Sequence, residues 1–229
     1  MSNKRMVVFS GAGMSAESGI PTFRGSDGLW EKYKIEEVAT PQAWLQNPDL
    51  VLDFYNQRRK RMIEAEPNDG HYQIALWQEE FDVVVVTQNI DDLHERAGSK
   101  QVLHLHGEIR KSRSTFNEEL IYDIEGWQIA KGDTCELGSQ LRPHIVWFGE
   151  EVPMLDTAAS IIETADLFIV VGTSLQVYPA AGLIHYAHRA KQKFLVDPQA
   201  NELINRAGWQ PIAQGAADGL RSIDAELLR

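Results

Sequence analysis

The sequence predicts an α/β fold: a Rossmann-like, doubly wound parallel sheet with a smaller inserted lobe. Three observations carry this expectation. Apolar runs of strand length recur along the 229 residues, as expected for strands buried on both faces. Each run ends in a turn or helix-start signal, and helical patterns lie between the runs. The first run also leads into a glycine-rich turn. Strand–turn–helix repetition of this kind implies right-handed crossovers in one sheet.

The elements follow in order. Met6–Phe9 forms the first strand and enters Gly11-Ala12-Gly13-Met14-Ser15-Ala16, a fit to G-x-G-x-x-G/A. In that pattern Gly11 permits the turn and Gly13 lets the backbone approach a pyrophosphate. Ala16 allows close helix–strand packing, and the helix start faces the anion. Glycines that serve only the turn are the competing reading. A dehydrogenase would next show a second strand and a ribose-binding acid. Here a Pro/Gly-rich loop follows instead, Gly19–Gly25, and Glu31, Glu36 and Glu37 follow no strand.

Helical patterns cover Pro48–Ile63 and Asn68–Glu80. Strand Val83–Val86 is closed by Asn89–Asp91, and residues 108–142 read as polar and irregular. Further strands are expected at Ile145–Phe148, Leu167–Val171 and Phe194–Val196, with helices at Met154–Thr164 and Tyr178–Ala190. The chain reads as one domain, 1–229. Its large lobe is expected at about 1–26, 81–107 and 143–229, and its small lobe at about 27–80 and 108–142. A ligand cleft is expected between them, at the carboxyl ends of the strands.

Composition limits the function classes. A net charge of −11 argues against nucleic acid as the main ligand, because backbone binding needs a basic stripe. No apolar run reaches membrane-span length, so no membrane partner is expected. The first strand begins too early to leave room for a signal peptide. Cys135 is the single cysteine, which excludes an internal disulfide and suits a reducing cytoplasm.

Five blocks in this chain resemble those of the sirtuins, in family order and over nearly the whole length. They are Gly11–Gly25 (GAGMSAESGIPTFRG), Thr87–Asp91 (TQNID), Leu105-His106-Gly107, Leu141–Glu150 (LRPHIVWFGE) and Gly172-Thr173-Ser174. The resemblance implies an NAD-dependent protein-lysine deacylase. NAD is consumed as co-substrate, and nicotinamide and 2′-O-acyl-ADP-ribose are released. It places the pyrophosphate near Ala12–Ser15 and Thr173–Ser174, with Gly11, Ala16, Pro21 and Gly172 in the same cofactor-binding blocks. The nicotinamide pocket falls at Gln88, Asn89, Ile90 and Asp91, and the catalytic set at Asn89, Asp91 and His106, with His106 the general base. Phe23 would shield the reactive ribose carbon, and Arg24 would order its loop. Asp197 would take the adenine ribose, and Ala217 would lie near adenine.

Alternatives remain open at several of these positions. Asn89 and Asp91 are also good N-cap types for a following helix. Spacing alone does not separate His106 from His104.

Tyr55 and Arg58 lie three residues apart on one helix face. They resemble the Tyr-x-x-Arg with which class III sirtuins read the carboxylate of succinyl-, malonyl- or glutaryl-lysine. A guanidinium and a phenol supply suitable charge-assisted donors, and Ala39 is small enough to leave room for such a group. Arg58–Arg61 could instead form a solvated basic face, and that reading is the expected one for Arg59–Arg61. In most of the family a small lobe holds zinc on two C-x-x-C pairs. Their counterparts here are Ser114, Asn117, Cys135 and Gly138, so no zinc is expected. Packing by Phe116, Leu120, Ile121, Tyr122, Ile124 and Trp127 is expected in its place. An ordinary deacetylase, a non-catalytic NAD or ADP-ribose binding module and a mono-ADP-ribosyl transferase are the rival functions.

Overall fold

A computed structural model describes residues 4–22, 33–204 and 207–227. Six parallel strands form the main sheet: β1 (Arg5–Ser10), β2 (Asp82–Thr87), β3 (Val102–His104), β7 (Leu167–Val171), β8 (Gln192–Val196) and β9 (Trp209–Ile212). Their order is β3-β2-β1-β7-β8-β9. Strands β4 (Gly107–Ser114), β5 (Ile121–Asp123) and β6 (Leu141–Ile145) make a separate antiparallel sheet ordered β5-β4-β6. The helices are α1 (Ile35–Val38), α2 (Pro41–Gln46), α3 (Pro48–Glu64), α4 (Asp69–Leu76), α5 (Leu93–Arg96), α6 (Leu155–Glu163), α7 (Ala200–Leu203) and α8 (Ala216–Leu227).

Alternation along the central strands sends side chains into two cores. Met6 and Val8 of β1 pack under α4 and α8 with Ile74, Trp77, Leu220 and Ile223. Val7 and Phe9 face the other way, onto Ala158, Ala159 and Ile162 of α6 and onto Leu183. Burial on both faces is why β1, β2, β7 and β8 read as apolar runs.

Local signals set the helix starts. The Thr40 hydroxyl accepts from Ala43 N and the Asn47 side chain from Leu50 N, with Pro41 and Pro48 in the first turns of α2 and α3. Asn68 and His71 form a reciprocal capping box on α4.

The structure differs from the sequence expectations in several places. The run Ile145–Phe148 is not a parallel strand; the strand is β6, paired antiparallel with β4. Residues 108–114, expected to be irregular, belong to β4. Polar Ser112, Arg113 and Ser114 are buried there and mask the pattern. The helix expected over 178–190 is a 3-10 helix, Ala180–Tyr186. α4, assigned by sequence to the small lobe, packs on the main sheet. Of the expected small-lobe apolar contacts, Ile124 is buried against Leu52 and Ile129. Phe116, however, is 78% exposed, and Ile121 and Trp127 are also exposed.

Beside an apolar cluster that includes Val38, Ala43, Val51, Phe54, Ile109 and Trp147, polar side chains of α3 hold the small lobe. Arg59 is wholly buried, contrary to the expected solvated face. Its Nε donates to Ile109 O at 2.6 Å, and one terminal nitrogen donates to Asn56 Oδ1 at 2.7 Å and Trp127 O at 3.0 Å. Asn56 in turn donates to Ile129 O and accepts from Ile129 N. Two α3 side chains thereby fix backbone at positions 109, 127 and 129. Burial lowers the Arg59 pKa to about 10, with the Arg110 charge adding to the effect, so the guanidinium keeps its proton at neutral pH.

Of the four positions that correspond to zinc ligands, Ser114 and Cys135 are joined by a hydrogen bond. Ser114 Oγ accepts from Phe116 N, from Asn117 N and from Cys135 Sγ at 3.3 Å. Gly138 offers no donor atom. One thiol, one committed hydroxyl and one amide do not fit a tetrahedral zinc site.

Arg59→Ala removes three hydrogen bonds, two of them buried, and leaves Ile109 O without its Arg59 donor; it should lower unfolding free energy by about 3–5 kcal/mol. Urea denaturation measures this. A chelator should leave the wild-type melting temperature unchanged. A loss below about 1 kcal/mol, or melting at lower temperature with chelator, would move the support of the lobe elsewhere.

Candidate active site

The carboxyl ends of β1, β2 and β7 meet a cleft of about 360 Å³ below the small lobe. At its base the β1 and β7 loops touch through their backbones. Gly11 N donates to Val171 O, and Gly13 N donates to Gly172 O at 2.8 Å. A Cβ on Gly13 would lie 2.7 Å from Gly172 Cα, and one on Gly11 would lie 2.7 Å from Thr173 Cβ. Gly172 itself has φ +62° and no room beside Met14 N. Gly11 is extended, with φ −128°. Its lack of a side chain therefore serves loop-to-loop contact, not a tight turn.

Residues 88–91 cross the cleft floor with their backbone anchored at each step. Gln88 N donates to Ser10 O, Asn89 N to Thr87 Oγ1, and Ile109 N to Ile90 O. The Gln88 side chain bridges to Thr173 Oγ1. Beneath this loop Ser10 Oγ donates to Thr87 Oγ1 and contacts His94 Nε2 at 3.0 Å. Ser10 has given its proton to Thr87, so His94 donates to it. That needs only a neutral ring. Burial, helped by the His71 and His104 charges, holds the His94 pKa well below the usual histidine range.

Asn89 and Asp91 point into the cleft and share one serine. Asn89 Nδ2 donates to Ser15 Oγ at 3.1 Å, and Ser15 Oγ donates to Asp91 Oδ2 at 3.0 Å. Neither Asn89 nor Asp91 is the N-cap of α5, which is Asp92, although Asp91 Oδ1 accepts from Leu93 N in the first turn. Burial raises the Asp91 pKa despite the Leu93 amide and the Ser15 hydroxyl, which pull it down.

The two rival histidines are separated by their partners. His106 Nδ1 contacts Gln88 O at 3.0 Å, a carbonyl that can only accept. Nδ1 therefore carries the proton, and Nε2 keeps its lone pair on a ring that lines the cleft. Burial lowers the His106 pKa, partly offset by that carbonyl. The ring is therefore a free base at neutral pH. His104 is held at both nitrogens and lines a different cavity.

Tyr55 and Arg58 face the same cleft from α3, beside Ala39, Met62, Ile145 and Trp147. Both are buried, and the Arg58 guanidinium lies 5.6 Å from the Phe54 ring centre. Burial raises the Tyr55 pKa, and the Arg58 charge opposes the rise. Trp147 is clamped behind Tyr55 by Arg142, which stacks 3.3 Å from its ring centre and pairs with Glu150.

Gly11, Ala12, Gly13, Ser15, Pro21, Gln88, Asn89, Ile90, Asp91, His106, Gly172, Thr173, Ser174, Asp197, Tyr55 and Arg58 thus share one cavity. Ala16 does not: it is exposed. Ala217 does not line it either; its N–H donates to Glu17 Oε1 at the start of α8. Phe23 and Arg24 lie outside the described residues. Sequence reading missed Trp147 and Phe148 as lining residues, although both sit inside a block it had singled out.

The chain is similar to known proteins. The sequence pattern of the Sir2 family matches residues 11–179. An NAD-dependent protein deacylase of Bacteroides thetaiotaomicron is 47% identical over 230 residues, 98% of each chain. One from Helicobacter pylori is 48% identical over 225 residues, again 98% of each. A crystal structure of a Sir2 homologue–NAD complex superposes with TM-score 0.86 at 39% identity, covering 98% of this chain and 91% of that one.

If His106 acts as the base, kcat/KM should fall in acid along a limb centred below pH 6.5, the ordinary histidine value, because the folded ring resists protonation. His106→Asn should lose at least ~100-fold in kcat. A wild-type limb at or above pH 6.5, or an active His106→Asn protein, would assign the base to another group.

Proposed function

The chain belongs to the Sir2 family, as an NAD-dependent protein deacylase, and on that premise we propose that it removes acidic acyl groups from lysine side chains. Succinyl and malonyl are the intended groups and glutaryl a further one, with acetyl removed more slowly. One observation carries the reading: Tyr55 and Arg58, both buried, line the same cleft as His106.

When bound, NAD supplies an electrophilic ribose carbon that loses nicotinamide and takes the acyl oxygen. The residues present fit such a group. The glycine contact at the ends of β1 and β7 leaves backbone free of side chains, as a pyrophosphate requires. Asn89, Ser15 and Asp91 form a fixed polar wall next to it. His106, neutral and with Nε2 facing the cleft, accepts a ribose hydroxyl proton. Arg58 and Tyr55 donate to the distal carboxylate of the acyl chain, while Ala39 leaves space and Trp147 gives the stem an apolar wall. An acetyl group brings no anion to this end of the pocket, so it forgoes the charge-assisted bonds. The same reading includes a metal-free small lobe and a cytoplasmic location, where the Cys135 thiol stays reduced.

Nicotinamide release from NAD should be measured with a succinyl-lysine peptide and its acetyl twin. Wild type should favour succinyl in kcat/KM by roughly tenfold or more. Arg58→Met should erase the preference mainly through the succinyl KM. Equal or acetyl-favoured turnover would leave the deacylase and remove the acidic pocket. Binding of NAD without turnover of either peptide would favour a binding module.

A further inference from the structure

The His106 ring has a neighbour whose two nitrogens both meet oxygen acceptors. His104, at the end of β3, contacts Asn89 O through Nδ1 at 2.9 Å and Glu95 Oε1 through Nε2 at 2.8 Å. A carbonyl oxygen has no proton to give, and neither has a carboxylate. A neutral imidazole carries one N–H and can satisfy one of these acceptors; an imidazolium satisfies both. We propose that His104 is a positioning residue that works as an imidazolium, tying the Asn89 carbonyl to Glu95 so that residues 88–91 hold Asn89 and Asp91 toward the cofactor.

The geometry explains why the loop needs this tie. Asn89 N is already held by Thr87 and Gln88 O by His106. The Asn89 carbonyl meets the ring of His104, which lines a second cavity of about 220 Å³. His104 is its partner there, and Glu95 on α5 anchors the ring from behind. Groups facing the ring come from every surrounding element: Asp91 from the loop, Asp92, His94 and Glu95 from the α5 region, and Glu108, Arg110 and Lys111 from β4. Asp123 reaches the cavity from β5. Burial pushes the His104 pKa down, but the Glu95 bond and charge, the Asn89 carbonyl and the Glu108 charge outweigh it and hold it above the ordinary value. Glu95 is held low in return, since the His104 bond and charge and the Lys111 charge exceed its burial cost. Two histidines two residues apart are thus split in function by the acceptors each one meets.

Losing the proton costs His104 one of its two bonds. The Asn89 carbonyl or the Glu95 carboxylate is then left facing a lone pair, and the loop loosens. Cofactor use should therefore fall on the alkaline side through His104, as it falls on the acid side through His106.

This inference rests on NAD occupying the first cleft, so its test includes a readout without cofactor. Nitrogen-15 NMR of the cofactor-free protein should show, near pH 7.5, one histidine with both ring nitrogens protonated. His104→Asn should remove that signal and identify it. Glu95→Gln, whose position is half exposed, keeps an acceptor but not the charge and should lower the pH at which His104 loses its proton. In the kinetics, Glu95→Gln should raise the KM for NAD roughly tenfold near pH 8, with kcat little changed and recovery near pH 6.5. A neutral His104 near pH 7.5 would overturn the proposal whatever the cofactor does. A Glu95→Gln pH profile that superimposes on wild type would also overturn it. An imidazolium signal in a protein that binds no NAD would instead show that the reading of the cleft had failed.

Discussion

The active site depends on the contact between the loops that leave β1 and β7. These strands are neighbours at the point where strand order reverses, so their crossovers depart to opposite faces of the sheet. The β1 crossover returns through α4 on one face, and the β7 crossover runs through the Ala180–Tyr186 helix on the other. A crevice must open between them. It stays narrow because Gly11, Gly13 and Gly172 have no side chains to separate the two backbones. Gln88 then links the β2 loop to the same contact through Thr173. Residues far apart in sequence are brought to one cavity by these few bonds.

The small lobe solves a second problem with one helix. α3 exposes only a narrow stripe that includes Asp53, Gln57, Lys60 and Arg61, so its other polar side chains must find partners inside. Tyr55 and Arg58 face the cleft, whereas Asn56 and Arg59 bond to the backbone of the 107–129 segment. The side chains proposed to read the acyl group and those that hold the lobe therefore alternate on one rigid element. A buried cation and an amide organise this segment through carbonyl acceptors. Such groups are costly to strand, and that ties the lobe to one arrangement.

Much of this was legible in the sequence, for physical reasons that also explain the failures. β1, β2, β7 and β8 are buried on both faces, so hydrophobicity marks them without ambiguity. β3 and β9 lie at the two edges of the sheet, are only three and four residues long, and carry half-buried or polar residues, so they leave no such mark. β4 is hidden because Arg113 and Ser114 are buried within hydrogen-bond networks. Arg59 was read as solvated because its acceptors are carbonyls 50 and 68 positions away; composition holds no trace of them. His104 and His106 could not be separated by spacing. The distinction lies in which carbonyls and carboxylates the fold brings to each ring.

The most direct test of the central claim, that the two glycine loops build the cofactor site by touching, is isothermal titration of Gly13→Ala and wild type with NAD. A Cβ there meets the Gly172 backbone at 2.7 Å and must push the loops apart. The account predicts that NAD affinity falls roughly tenfold or more in a protein that still unfolds in one cooperative step. Unchanged affinity in the folded variant would contradict it, because the crevice would then be set by something other than this contact.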